Sequence, residues 1–197
     1  MDGQPIGAAA LWGLYALMVL GTTGVIPSLR ILEEKHWLFH TLDTPVMALL
    51  TVGILALYRA QRHAFGKLGK VGAYLALFGY GYGAVGSLII VPAELIFRIN
   101  TGEGPLDFVA HFPGFFPQLI GSLLFGIATA RAAVLPRAAA LVLAIGAPLQ
   151  FLLGPLGASQ PVLLIAMLAV CSGWGFLGHA LATGRRERIT QTAPSAA

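Results

Sequence analysis

Residues 71–93 read VGAYLALFGYGYGAVGSLIIVPA, a run of 23 residues without a formal charge between Lys70 and Glu94. A helix that crosses a bilayer needs about 20 consecutive, mainly apolar residues. In hydrocarbon every backbone N–H and C=O must find its partner within the protein, which leaves helices or a closed barrel. The run does not alternate between polar and apolar residues as a barrel strand would. It therefore predicts a transmembrane helix and an all-α fold.

The composition of the whole chain points the same way. Of the 197 residues, 57% are hydrophobic and only 10% are charged, whereas an ordinary soluble domain is about 25% charged. These few charged groups cannot cover a water-facing surface. The remaining apolar surface is therefore expected to face a lipid bilayer. The sequence pI of about 9.6 does not indicate a nucleic-acid partner, because the basic residues flank apolar segments instead of forming a patch. The single cysteine, Cys171, excludes an intrachain disulfide.

Uncharged runs elsewhere in the chain predict five further helices. The stretch from Arg137 to Arg185 encloses 47 uncharged residues, too many for one helix, and its glycines and prolines at 154–161 mark a turn. The six predicted helices lie near residues 6–29, 37–59, 71–97, 107–131, 136–156 and 160–183. We predict a polytopic bundle of about six transmembrane helices over residues 1–184, followed by a polar cytoplasmic tail over 185–197.

Lysine and arginine residues are divided unequally between the two sides of this bundle. One side carries nine, namely Arg59, Arg62, Lys67, Lys70, Arg131, Arg137, Arg185, Arg186 and Arg188; the other carries three, namely Arg30, Lys35 and Arg98. Cytoplasmic loops are enriched in basic residues. We therefore predict a multi-pass protein of the cell membrane with both termini in the cytoplasm. No basic residue precedes the first apolar run, so we expect that run to be a retained helix and not a cleaved signal peptide.

Several ionisable and polar residues collect on the predicted outer side. Ionisable groups in membrane helices are costly and usually face a cavity or a partner, and Asp43 must be drawn into the second helix for that helix to span. Two prolines, Pro113 and Pro117, are expected to kink or break the fourth helix nearby. The predicted ligand-binding residues of this outer polar cluster are Glu94, Asp43, His111 and Gln118. Alternatively, each group reaches water separately at the interface.

Two histidines suggest a metal site in the same region. His36 and His40 are four residues apart, so on a helix they share a face, and Asp43 follows three residues later. Imidazole and carboxylate at this spacing suit a divalent metal. The catalytic glutamate of an HExxH motif is absent, so solvated interfacial residues remain the alternative. His40 and His111 are the pair at similar predicted depth, which leaves haem open; the sequence identifies no cofactor.

Glycines in the third predicted helix indicate close helix packing. Gly79 and Gly83 are four residues apart, a spacing at which small residues let two helices approach. Residues 81–86 also fit the pattern GxGxxG, but a dinucleotide fingerprint needs a preceding strand, and this segment is predicted as helix.

The last third of the chain carries a resemblance. It runs from Ala133-Val134-Leu135-Pro136-Arg137 to Gly173-Trp174-Gly175-Phe176-Leu177-Gly178-His179-Ala180-Leu181 and ends in Arg185-Arg186-Glu187-Arg188. This part resembles small uncharacterised multi-spanning integral membrane proteins of high-GC bacteria. The resemblance implies a membrane location, and it implies no activity and no site residue.

The function predicted from these patterns is the binding or transport of a small solute through the outer polar cluster. An alternative is a structural or regulatory membrane subunit that packs against a partner membrane protein or a second copy of the chain. A third hypothesis is a metal- or haem-dependent membrane enzyme, although no catalytic motif favours an enzyme.

Overall fold

The computed structural model describes residues 36–99, 104–153, 156 and 160–192. Every regular element within them is a helix, and the five helices in chain order are α1 (His36–Gln61), α2 (Lys67–Leu95), α3 (Pro105–Ala132), α4 (Arg137–Leu153) and α5 (Gln160–Thr192). The all-α prediction is confirmed for these residues. The count of six is not supported by them, because the first predicted helix, residues 6–29, lies outside the described part. Helix α5 continues past the predicted boundary at residue 184.

Three of the five helices are long and apolar enough to cross a membrane. They are Trp37–Gln61, Lys67–Leu95 and Pro105–Ala132, whereas the last two helices hold only shorter apolar segments, Arg137–Leu149 and Leu168–Thr183. Large apolar side chains also cover the outside of the bundle, among them Tyr74, Phe78, Leu88 and Phe112. Length, composition and surface are together consistent with a membrane protein.

The helices form a closed ring around one core. Each helix packs against the next in the chain, and α5 also contacts α1. Side chains from all five helices are fully buried in the middle: Ile54, Tyr80, Phe125, Leu143 and Leu177. The tightest neighbours are α2 and α3, and the candidate site lies along their contact.

Glycines bring the backbones of α2 and α3 together. A Cβ atom placed on Gly79 would meet the backbone of Gln118, and one placed on Gly86 would meet the backbone of Ala110. These two glycines are seven residues apart, two helical turns, so they lie on the same face of α2. Small residues at such a crossing permit van der Waals contact between main chains, which fixes how α2 is rotated against α3.

Gly83 does not lie at this crossing, which corrects half of the predicted glycine pair. A Cβ atom there would have as its nearest neighbour the sulfur of Met47 on α1, at 3.9 Å, an ordinary contact. Helices α2 and α3 stay in contact over several turns, so the glycines at their contact, Gly79 and Gly86, are two turns apart. The four-residue spacing of Gly79 and Gly83 therefore did not identify the pair.

Helix α3 passes through Pro113 and Pro117 without a break; of the two expected outcomes, a kink or a break, the break is wrong. Proline has no N–H, and Pro113 therefore leaves the carbonyl of Val109 without its usual partner in the helix. The hydroxyl of Tyr82 on α2 donates to that carbonyl oxygen at 2.8 Å. A neighbouring helix thus replaces the missing hydrogen bond, which is how proline is tolerated in membrane helices.

Candidate functional site

The candidate site lies where one end of α2 packs between the beginnings of α1 and α3. Asp43 is seven residues inside the start of α1, Ser87 eight residues before the end of α2, and His111 six residues inside the start of α3. At a rise of 1.5 Å per residue, each lies about 9–12 Å inside its helix end. The three helices that are long enough to span a membrane therefore contribute polar side chains at a similar depth.

Ser87 is the centre of this group. Its side chain is fully buried, and its Oγ donates a hydrogen bond of 2.7 Å to Asp43 Oδ2. The same Oγ lies 3.1 Å from His40 Nδ1 and 3.2 Å from His111 Nε2. We call Ser87, Asp43, His40, His111 and Asp107 the Ser87 cluster.

Asp107 closes the other side of the cluster. The rings of His40 and His111 are stacked, with centroids 4.9 Å apart and planes at 25°. His111 Nδ1 lies 3.0 Å from Asp107 Oδ1 and 3.1 Å from the backbone oxygen of Asp107, while His40 Nε2 lies 3.7 Å from Asp107 Oδ1. Each imidazole therefore has one nitrogen toward Ser87 and the other toward Asp107.

The contacts of the cluster outnumber the hydrogens available to make them. Three contacts meet at Ser87 Oγ, two at Asp107 Oδ1 and one at the backbone oxygen of Asp107, whereas two neutral imidazoles and one hydroxyl supply three hydrogens. The Ser87 hydrogen goes to the carboxylate of Asp43, so Ser87 Oγ acts as an acceptor toward both rings. The backbone oxygen of Asp107 can only accept, so its contact requires the hydrogen of His111 on Nδ1. With neutral rings, the contacts on the two sides of His111 therefore compete for one hydrogen.

Burial changes across the cluster. Asp43 is only 3% exposed, and its Oδ1 has no hydrogen-bond partner among the described residues. The side chains of Asp107 and His111 are 32% and 30% exposed. A buried polar atom without a partner is costly. The Asp43 end of the cluster is therefore its buried end, and the Asp107 end is the one that is open to the outside.

The nitrogens and oxygens at the Asp107 end have the spacing of metal ligands. His40, Asp107 and His111 each offer one ligand atom, and these atoms all lie within 4.8 Å of one another. The two imidazole rings are stacked directly on each other, with centroids 4.9 Å apart. A haem between two axial histidines needs room for its ring between them, so this pair does not suit the two axial positions of one haem iron. The haem hypothesis is therefore not supported by these two rings.

The structure brings together three of the residues that the sequence singled out. Asp43, His40 and His111 all contact Ser87. Glu94 is half-buried two turns further along α2, and Gln118 is half-buried two turns further along α3, beside the Tyr80 hydroxyl. His36 is the first residue of α1, and its side chain is outside the described part.

Sequence reasoning missed Ser87 and Asp107 as site residues. A serine in an apolar run is unremarkable, because serine is common at helix contacts in membranes. Asp107 and His111 did carry a signal: they are four residues apart at the start of a helix and so share a face. That spacing is the counterpart on α3 of His36 and His40 on α1.

Comparison with protein-family models, with curated proteins and with solved structures finds no match for this chain. The resemblance of its last third to bacterial membrane proteins therefore stays a prediction. Function is inferred below from the geometry of the Ser87 cluster.

Proposed function

We propose that this chain is an integral membrane protein that binds a small cation in the Ser87 cluster, at the outer end of its bundle. The observation that carries the proposal is the convergence of His40, His111 and Asp107, which each offer one ligand atom within 4.8 Å of the others. His111 Nδ1 and His40 Nε2 lie 3.0 Å and 3.7 Å from the carboxylate oxygen Asp107 Oδ1. A cation held there is attracted by the nitrogen lone pairs and by the carboxylate charge together.

The charge of the cluster supports the same conclusion. With neutral histidines, Asp43 and Asp107 give it two negative charges within helices that are otherwise apolar. Charges inside a membrane bundle are costly unless they are paired. A bound cation compensates these charges. A divalent cation makes the cluster neutral.

The partly exposed side chains of Asp107 and His111 give the ion a route from outside the bundle. Binding at this depth is the first step that a carrier needs, and movement of the ion across the membrane is a further part of the proposal. The alternative, a subunit that packs against a partner membrane protein or a second copy, does not account for three ligand atoms that converge within 4.8 Å at the partly exposed end of the cluster.

Thermal unfolding of the purified full chain in detergent tests the proposal. The panel contains Na⁺, K⁺, methylammonium, Mg²⁺, Ca²⁺, Mn²⁺ and Zn²⁺. A ligand present at 100 times its Kd stabilises the folded state by about 2.7 kcal/mol, which for a chain of this size corresponds to a Tm increase of roughly 5–10 °C. We expect a saturable increase for at least one cation.

Two variants serve as the comparison. Asp107→Asn removes the charge at the open end and should abolish the increase. His179→Ala removes an exposed histidine of α5, outside the cluster, and should leave the increase unchanged. If no cation raises the Tm of the wild-type chain, cation binding is wrong and the partner-subunit hypothesis becomes the better one.

The orientation in the membrane is part of the proposal. The nine-to-three distribution of basic residues supports a cytoplasmic loop at 62–66 and an outer loop between α2 and α3. Reporter fusions in these two loops should report opposite compartments, with the second one outside. The reverse result would place the Ser87 cluster at the cytoplasmic end.

A hydrolytic enzyme is the second candidate, because one set of contacts has the order of a catalytic triad. Ser87 Oγ lies 3.2 Å from His111 Nε2, and His111 Nδ1 lies 3.0 Å from Asp107 Oδ1, the connectivity of nucleophile, base and acid. Two features oppose it. Ser87 is fully buried, and its hydrogen is directed to Asp43 and not to the histidine.

A further inference from the structure

We infer that the cation is a divalent transition-metal ion of the zinc class, bound by His40 Nε2, His111 Nδ1 and Asp107 Oδ1. Ser87 and Asp43 are positioning residues that hold both imidazoles in the ligating tautomer. This inference rests on the proposed function and specifies its ligand. It replaces the predicted pair of His36 and His40 by a set that spans two helices.

The distances agree with a tetrahedral ion. Zinc lies about 2.0–2.2 Å from imidazole nitrogen and carboxylate oxygen, so two of its ligand atoms are about 3.4 Å apart in a tetrahedral arrangement. The two nitrogens lie 3.0 Å and 3.7 Å from Asp107 Oδ1. These two nitrogen–oxygen distances bracket the ideal one, and the two nitrogens lie within 4.8 Å of each other.

The kinds of ligand atom select the class of metal. Magnesium and calcium prefer shells of six or more oxygen atoms, whereas imidazole nitrogen favours zinc, copper, iron and nickel. Two imidazoles with one carboxylate are the ligand set of open zinc sites, in which the fourth position holds water or a substrate. The exposed side of His111 and Asp107 offers that fourth position to solvent.

The second coordination layer is already in place on the far side of the rings. A histidine that binds metal through one nitrogen usually donates from the other to an oxygen, which fixes its tautomer. Here Ser87 Oγ lies 3.1 Å from His40 Nδ1 and 3.2 Å from His111 Nε2, and it donates its own hydrogen to Asp43 Oδ2. Metal binding at His111 Nδ1 moves the hydrogen of that ring from the Asp107 side to Nε2, where Ser87 Oγ accepts it. The hydroxyl then accepts two bonds and donates one, which is its full capacity.

The acceptor at Asp43 decides the direction of this network. Without it, the Ser87 hydrogen would point at one of the imidazoles, and that imidazole would carry its own hydrogen on the metal side. The Asp43 carboxylate thus affects the metal indirectly, through Ser87. The free-energy cost of its charge in the apolar bundle is offset by the charge of the ion.

Cobalt binding is the direct test. Co²⁺ is added to the purified full-length chain in detergent after treatment with a chelator, and the visible absorption spectrum is recorded. A four-coordinate site with two nitrogen ligands gives intense visible bands, and Zn²⁺ should remove them by competition at one equivalent. Weak bands that Zn²⁺ does not displace would overturn the inference.

Variants then assign the ligands. We expect His40→Ala, His111→Ala and Asp107→Asn each to weaken Co²⁺ binding at least 100-fold, whereas His179→Ala should bind as the wild type does. Circular dichroism and elution from a sizing column establish that each variant is folded. If the folded His111→Ala variant keeps the wild-type affinity and spectrum, the assignment is wrong.

Positioning by Ser87 and Asp43 has a separate signature. Ser87→Ala and Asp43→Asn retain all three ligands, so the cobalt bands should keep their positions while the affinity falls about 10–100-fold, as for other outer-layer partners. A purely structural role would instead lower the Tm of the metal-free variant and leave the affinity of its folded fraction unchanged.

The outcomes separate this inference from the proposed function. Saturable stabilisation by Na⁺, Ca²⁺ or methylammonium without any response to Co²⁺ or Zn²⁺ would preserve cation binding and refute the transition-metal site. No response to any cation would refute both.

Discussion

The bundle contains two fully buried serines on adjacent helices, Ser87 on α2 and Ser122 on α3. Each belongs to a polar network that joins side chains of three helices, and both lie on the contact between α2 and α3. They differ in their neighbours: Ser87 contacts the Asp43 carboxylate and two imidazoles, whereas Ser122 contacts the neutral hydroxyl of Tyr80.

The group around Ser122 is balanced. Trp174 Nε1 donates to the Tyr80 hydroxyl at 3.1 Å, and that hydroxyl lies 3.3 Å from Ser122 Oγ. The rings of Tyr80 and Trp174 pack edge to face, 6.0 Å between centroids, an arrangement favourable for aromatic pairs. Each contact has a hydrogen to make it, so this network needs no ligand and serves to hold α2, α3 and α5 together.

The difference shows how a structural polar network can be told from a ligand site. Burial alone does not separate them, since both serines are inaccessible. The charges and the number of hydrogens do: the Ser122 network joins neutral groups, whereas the Ser87 cluster holds two carboxylates and, with neutral imidazoles, has fewer hydrogens than contacts. We expect stability to depend on the first and cation affinity on the second.

The largest effect should come from the backbone contact that both regions share. Gly86→Ala places a methyl group against the Ala110 carbonyl, so α2 and α3 must separate beside Ser87. We expect a loss of about 3 kcal/mol in the free energy of unfolding, the upper range for overpacking, seen as a lower Tm together with weaker Co²⁺ binding.

Gly83→Ala is the matched control, because the added methyl group contacts only the Met47 side chain. It should gain up to about 1 kcal/mol from helix propensity. Equal losses in both variants would contradict the glycine crossing.

Tyr80→Phe tests the Ser122 network. The change removes one hydroxyl and leaves the Trp174 N–H and Ser122 without that partner, which should cost about 1–3 kcal/mol. The Tm of the variant should fall, and its affinity for Co²⁺ should equal that of the wild type. A parallel fall in affinity would mean that the two regions are not independent.

Asp43→Asn should change stability in the opposite direction. The amide keeps an acceptor for Ser87 and removes a buried charge, so the metal-free variant should be more stable by about 1 kcal/mol. This appears as a Tm increase of roughly 2–4 °C, measured in the presence of a chelator. With Zn²⁺ added, the wild type should become the more stable chain. A lower metal-free Tm in the variant would show that Asp43 stabilises the fold directly.

The last prediction is that Ser87 does not react with a serine-directed probe. A fluorophosphonate probe labels an activated serine nucleophile, and Ser87 is buried with its hydrogen directed to Asp43. We expect no covalent adduct by intact-mass spectrometry in detergent, with or without Zn²⁺. Labelling of the wild type that is lost in Ser87→Ala would favour the hydrolytic candidate over cation binding.

The sequence predicted more of the fold than of the site. Uncharged runs located four of the five described helices, and α1 was located by extending a short run back through Asp43. This is possible because a membrane helix needs about 20 mainly apolar residues in a row, which is a local property. The position of Asp43 near the start of a spanning segment also marked the correct end of the bundle. The rotation of each helix was not predictable, and this rotation decides whether Gly79, Gly83 or Gly86 meets α3.

The sequence by itself determined the all-α class, the apolar character of the helices and the end of the bundle at which charged chemistry collects. Only the tertiary structure decided that Ser87 lies between Asp43 and the two histidines and that Asp107 completes the set. The physical reason is that hydrophobicity is summed along one segment, whereas the direction of a side chain depends on how two backbones pack. Here glycines of α2 set that packing, and with it the atoms that meet.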